Sequence, residues 1–340
     1  MKKRQNLPAG YLMRPARLDD LEAIIEMLNS SSKHLFGVEK FTAGDFKSDW
    51  STPRFDLERD TQVVIAPDGM IAGYYDLFDQ DEPYARAFCW GQVHPLHTGK
   101  GIGWTLLNWA EQRARQTIPK APDEARVVLI AHTPTINRSA EELFREADFS
   151  LVRYYLRMVI DLNGQPPEPE WPEGITLRGF VLGEDDSILI HALRESFSDH
   201  WGYLENPFED ALEDFRTFWR TNEKFDSSLY FLAMDGDEVA GISMCYPSAD
   251  DDPEMGWVGS LGVCRPWRRI GLGLALLQHS FLEFHRRGKR KVGLGVDAQS
   301  LTGATRLYTK AGMRPDPLWQ TSAFEKELRA GKELRTQSVT

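Results

Sequence analysis

The chain has 340 residues, 41% hydrophobic and 27% charged. That is an ordinary globular composition: it excludes a disordered or fibrous chain and allows two separate cores. A formal net charge of −11 argues against a general nucleic-acid binder, which needs basic surface to neutralise phosphates.

The first residues, MKKRQNLPAG, carry basic side chains with no apolar run behind them, so no secretory signal is expected. No stretch approaches the ~20 apolar residues of a membrane span. Cys89, Cys245 and Cys264 lie far apart without metal-ligand spacing, so neither a disulfide framework nor a metal is expected. A cytoplasmic protein with no membrane partner is the resulting expectation, and oligomeric state is left open.

The first half opens with a strand over 11–17 and a helix from about Leu18, where Asp19 and Asp20 suit the positive end. Strands over 61–66 and 71–78 flank a Pro-Asp-Gly turn, a hairpin signal. A strand over 86–93, a helix over 102–115, a strand over 127–131 and a helix over 139–147 follow. Residues 153–162, rich in aromatic and β-branched side chains, read as a closing strand. Four prolines between Asn163 and Pro172 then favour an extended spacer.

The second half repeats this order. A strand over 175–181 opens it, and strands over 229–234 and 239–246 surround an Asp-Gly-Asp-Glu turn. A strand over 257–263, a helix over 272–287, a strand over 291–296 and a helix over 303–311 complete it. Val93, Gly101, Gly103, Leu106 and Leu107 match Val263, Gly271, Gly273, Leu276 and Leu277 at one constant offset. A duplicated unit follows: residues 1–162, a linker over 163–173, and residues 174–340. Hairpins first, then strands alternating with helices, give a mixed α/β fold, each half a mostly antiparallel mixed sheet flanked by helices.

The sharpest segment runs from Leu261 to Leu277, LGVCRPWRRIGLGLALL. A strand enters a short basic loop, and glycines open a helix. Helix N-termini present unpaired N–H groups and partial positive charge, a setting for phosphate oxygens. Gly271 and Gly273 leave those amides unobstructed, and Arg268 and Arg269 add guanidinium charge. Neither the G-x-x-x-x-G-K-[ST] nor the G-x-G-x-x-G fingerprint is present.

This segment resembles the Q/R-x-x-G-x-G/A acetyl-CoA motif of the GNAT superfamily, filled by Arg268, Gly271 and Gly273. Downstream, Ala304, Leu307, Tyr308, Gly312 and Met313 resemble the second hallmark, A-x-x-L-Y-x-x-x-G-F/M. The resemblance covers nearly the whole chain in two copies and is nearest to tandem, mycothiol-synthase-like members. It implies transfer of acetyl from acetyl-CoA to a primary amine of a small molecule or peptide, by direct attack in a ternary complex. It also implies a cofactor site of Leu261, Val263, Arg268, Arg269, Gly271, Leu272, Gly273 and Leu274, with Tyr308 as proton donor to the departing thiolate.

An alkylammonium, with a pKa near 10.4, must lose a proton before it attacks. Glu254, just before the strand, is the expected base, although Trp257 takes the family's usual in-strand position. Asp199 and His200, with Trp201, are alternatives and the expected acceptor-binding residues. In the first copy Val93, Lys100, Gly101 and Gly103 preserve the cofactor loop, but Thr98 replaces the expected Arg, Phe144 the tyrosine and Asp148 the glycine. That half is expected to be degenerate, possessing a cofactor site without a proton donor. Acetylation of an aminated thiol, and a non-catalytic acyl-CoA sensor, are the alternative functions.

Overall fold

In the computed structural model, residues 7–300 and 303–336 are described, so the basic residues 1–6 lie outside them. The chain forms two compact units, Met1–Tyr154 with Gln320–Leu334, and Tyr155–Trp319 with Arg335–Thr340.

The first unit contains β1 (Leu12–Arg14), α1 (Leu21–Phe36), α2 (Ala43–Trp50), α3 (Leu57–Asp60), β2 (Thr61–Ile65), β3 (Ile71–Phe78) and β4 (Arg86–Val93). It continues with α4 (Ile102–Thr117), β5 (Val127–Pro134), α5 (Arg138–Glu146) and the start of β6 (Ser150–Asp161). Local chemistry sets the element ends. Gly37 takes a left-handed φ of 79° after α1, and Thr42 and Asp45 form a capping box at α2. Gly69, with φ of 89°, turns the hairpin between β2 and β3.

The second unit takes β6 from Tyr155 onward, then β7 (Ile175–Gly179), α6 (Asp186–Phe197), α7 (Phe208–Thr221), β8 (Tyr230–Asp235) and β9 (Glu238–Tyr246). It continues with β10 (Met255–Val263), α8 (Leu272–Arg286), β11 (Lys291–Asp297), α9 (Ala304–Lys310) and the first part of β12 (Arg314–Arg329).

In both units the neighbours are antiparallel except for one parallel pair, β4 with β5 and β10 with β11. The closing strands, however, are exchanged. β6, at the end of the first half of the sequence, pairs with β11 from Lys291↔Asp161 to Asp297↔Tyr155. β12, at the end of the second half, pairs with β5 through Thr321↔Pro134 and Phe324↔Ala131. The compact units therefore differ from the contiguous halves of the sequence repeat. β12 has no counterpart among the sequence-based expectations, because Pro315 and Pro317 break the strand pattern where it begins. The spacer over 163–172 is free of helix and strand.

The first unit's core joins α4 to the sheet through Leu77, Leu106, Leu129 and Phe324. The second joins α6, α8 and the sheet through Leu189, Leu232, Phe281, Phe284 and Tyr308.

Candidate active site

In each unit the sheet opens where its parallel pair ends. β10 pairs with β11 from Met255↔Lys291 to Val258↔Leu294, yet keeps its bonds to β9 as far as Val263↔Gly241. Beyond Val258 the parallel partners part. A bulge marks the departure, since Val258 faces Cys245 and Ser260 faces Met244, leaving Gly259 as the extra residue. A Cβ at Gly259 would lie 2.3 Å from the Tyr246 ring, so no larger residue fits without displacing it. Sequence reasoning missed Gly259, because its requirement comes from a neighbouring strand.

The amides in the parted segment have a definite direction. Cys264 N–H donates to Ala240 O at 3.0 Å, toward β9. Alternation along a strand then turns the N–H groups of Leu261 and Val263 the other way, into the gap. The Val263 carbonyl points there too, since Arg268 Nε reaches it at 3.1 Å.

Arg268 was expected as a phosphate cation. Its fork is directed inward instead, to Val263 O, to Ser196 O at 3.0 Å, and to both carboxylate oxygens of Asp199. Arg268 thus fastens the loop to the end of α6, and Asp199 is drawn into that ion pair. Asp199 is shifted by burial, which raises its pKa, and by the Arg268 pair, which lowers it; the pair wins, and the carboxyl is held below the usual range. Arg269 remains exposed beside the loop, with a left-handed φ of 66°. Gly271 caps α8 at φ 95°, with open space where a Cβ would stand. The first-turn amides of Leu272 and Gly273 have no intrahelical acceptor.

Gly273 also has a packing role: a Cβ there would lie 3.3 Å from Leu307 and 3.6 Å from Val263. That close approach seats α9 on the start of α8. Tyr308, one residue on, is 8% exposed and shares an apolar cluster with Leu261. Burial pushes its phenol up to about 12, so it stays protonated at neutral pH. Leu274 is half-buried in the first turn of α8.

Glu254 is not brought to this place. It is exposed in the turn before β10, and the seven residues from it to Leu261 span ~23 Å of extended chain. Trp257 lies across β11, where a Cβ at Gly293 would come within 2.9 Å of its ring. Arg157, paired bidentately with Asp251, stacks on Trp257 and Trp319 with its guanidinium carbon 5.2 and 4.2 Å from the ring centroids. His200 packs edge-on against Phe197 at 4.7 Å, and Trp201 has Arg335 over its ring at 5.6 Å.

In the first unit β4 and β5 part after Cys89↔Ala131, and His94 N–H donates to Ala72 O, the same arrangement. A cavity of about 920 Å³ opens there, lined among others by Gln92, Val93, Gly101, Gly103, Asn137 and Phe144. Lys100 does not line it; its ammonium is held by the Tyr11 hydroxyl at 3.2 Å and His97 Nδ1 at 3.3 Å. Phe144 packs on Phe149 and Phe324, and Asp148 keeps the left-handed turn at φ 65°. Among the described residues no helix is long and apolar enough to cross a membrane.

The model of the acetyltransferase (GNAT) family matches residues 21–149 and 190–313, one stretch in each half. The chain is 30% identical over 255 residues to the mycothiol acetyltransferase of Geodermatophilus obscurus, covering 74% of this chain and 77% of that protein. It is 34% identical to a GCN5-related N-acetyltransferase of Sphaerobacter thermophilus, whose crystal structure superposes with a TM-score of 0.79 over 98% of this chain and 100% of that one. A tandem GNAT protein from the clavulanic acid biosynthesis pathway, 16% identical, shares the fold with a TM-score of 0.68 over 95% and 100% of the two chains. Enzymes of the GNAT family use acetyl-CoA and act on amine acceptors. The chain belongs to the GNAT family, as an N-acetyltransferase with two tandem units of that fold.

Proposed function

We propose that the second unit transfers acetyl from acetyl-CoA to a primary amine of a small molecule or peptide, by direct attack in a ternary complex. The observation that carries this is the parting of β10 from β11 after Val258, with the amides of Leu261 and Val263 turned into the gap. Acetyl-CoA, when bound, supplies the thioester. Leu261 and Val263 N–H groups polarise its carbonyl, and the amides of Leu272 and Gly273 with the Arg269 guanidinium hold the diphosphate. Tyr308 donates its proton to the departing sulfur. The first unit keeps the cavity and the glycine loop but has Phe144 at the donor position, so it binds acetyl-CoA without turning it over.

Thiol release from acetyl-CoA in the presence of a panel of primary amines tests the reading. Release that depends on one class of amine supports it; stabilisation by CoA with no amine-dependent release leaves a sensor. The relatives' names favour a second acceptor class, an amine carried by a thiol compound, so cysteine amides belong in the panel.

A further inference from the structure

The amine must shed a proton before it attacks, and neither carboxylate named from the sequence is placed to take it. Glu254 lies at the far end of β10, and Asp199 is spent on Arg268. His200 follows Asp199 in the loop that Arg268 ties to Val263, at the parted end of β10. Val263 marks that place: Gly273, which also meets Leu307 next to Tyr308, stands beside its side chain, and Arg268 reaches its carbonyl. Arg268 fixes Asp199, and so the residue after it. The end of α6 sits directly on the parted strand, since a Cβ at Gly262 would come within 2.7 Å of Ser196. Thr336 then clamps the following loop: Gly202 N–H donates to its carbonyl at 2.8 Å, its own N–H to Tyr203 O at 2.8 Å, and its hydroxyl to Ser198 O at 2.8 Å.

The charged groups that bear on the imidazole are Asp199, Arg268 and Asp297, with Arg335 one residue away over Trp201. Asp297 is the last residue of β11, the strand that has left β10. The loop that carries His200 is thus tied to the parted end of β10, and the Asp297 charge at the end of β11 bears on its ring.

We propose that His200 is the general base of the second unit, accepting the acceptor's ammonium proton while Asp297 steadies the imidazolium. The proposal rests on the acetyl-transfer reading of this unit. Protons balance as follows. His200 takes one from R–NH₃⁺ and passes it to solvent. As the C–N bond forms and the C–S bond breaks, the amine's second proton replaces the one that Tyr308 gives to sulfur. The products are the acetamide, the thiol and one solvent proton. Burial lowers the imidazole below its ordinary 6.5, against the pull of Asp199 and Asp297, so the ring is neutral at pH 7 and ready to accept.

The test compares wild type with His200→Gln on two acceptors, benzylamine, which is protonated at neutral pH, and aniline, which is not. With benzylamine at pH 7 the variant should lose ~10²-fold or more in kcat/KM. Its rate should then climb about tenfold per pH unit toward the amine's own pKa, while aniline turnover stays within a few-fold. Retained benzylamine turnover, or an equal loss on both amines, overturns the proposal. A wild type that acetylates neither amine counts against the amine-acceptor reading instead, and the proposal is then judged by NMR titration of His200. Asp297→Asn should lower that pKa, because a negative neighbour is lost; an unmoved titration overturns it.

Discussion

Phe144 stands in the first half of the chain where Tyr308 stands in the second, both buried, one with a hydroxyl and one without. Tyr308→Phe should leave the fold intact, because the ring fills the same space. Its expected effect is a loss of ~10²-fold in kcat with acetyl-CoA affinity changed by less than a few-fold, read by steady-state kinetics beside calorimetry. Equal kinetics would remove the phenol from the mechanism. A second residue reports on stability. Asp76 is 5% exposed and accepts the Tyr74 hydroxyl at 3.0 Å, and burial pushes its carboxyl up from 3.8 to about 8. A folded-state pKa above the unfolded one means stability that is complete below about pH 4 and is lost as pH rises to about 8. Asp76→Asn keeps the shape and removes the titration. Its advantage over wild type should be small near pH 4 and reach on the order of 5 kcal/mol at pH 8.5, read from denaturant midpoints at the two pH values. A difference independent of pH would refute the assignment.

At the scale of elements, the loop before each catalytic-type helix is the same object in both units. Gly99 and Gly101 take φ of 74° and 81°, and Arg269 and Gly271 take 66° and 95°. Arginine in that left-handed position costs ~1 kcal/mol that glycine does not. Arg269→Gly should therefore raise the unit's stability by up to ~1 kcal/mol while weakening acetyl-CoA binding ~5-fold, a salt-sensitive loss. Calorimetry at two salt concentrations checks both signs, and unchanged affinity would exclude Arg269 from the diphosphate. This loop and the A-x-x-L-Y helix were legible in the sequence because their requirements are local: a glycine torsion, a helix cap, an apolar face. The inward commitment of Arg268 and the bulge at Gly259 were not. Each depends on a strand or helix end distant in the chain, Ser196 and Asp199 for Arg268, Tyr246 for Gly259.

For the whole molecule, the repeat in the sequence and the compact units in space are different partitions, and the exchanged strands are the reason. Both hairpins were readable from alternation and turn residues, but alternation says nothing about which sheet a strand joins. β12 settles into the first unit: Ala323 and Phe324 are fully buried there, Phe324 against Phe144 at 5.3 Å, and Ser322 donates to Glu141 at 2.7 Å. Arg126 reinforces it by reaching Glu325, Glu327 and Glu333 at 2.6 to 2.9 Å. Phe324→Ala should thus cost ~3–5 kcal/mol although it lies near the chain's C-terminus, and the cost should fall on the first unit. Hydrogen exchange should show β5 and α4 losing protection while β8 and β9 keep theirs. By the same logic, residues 1–162 alone leave β5 with a bare edge and should not fold cooperatively, whereas residues 1–154 joined by a flexible linker to residues 320–334 should. A cooperative melt from the contiguous fragment would show that β12 is dispensable, and the exchange would then be a feature of connectivity rather than of stability.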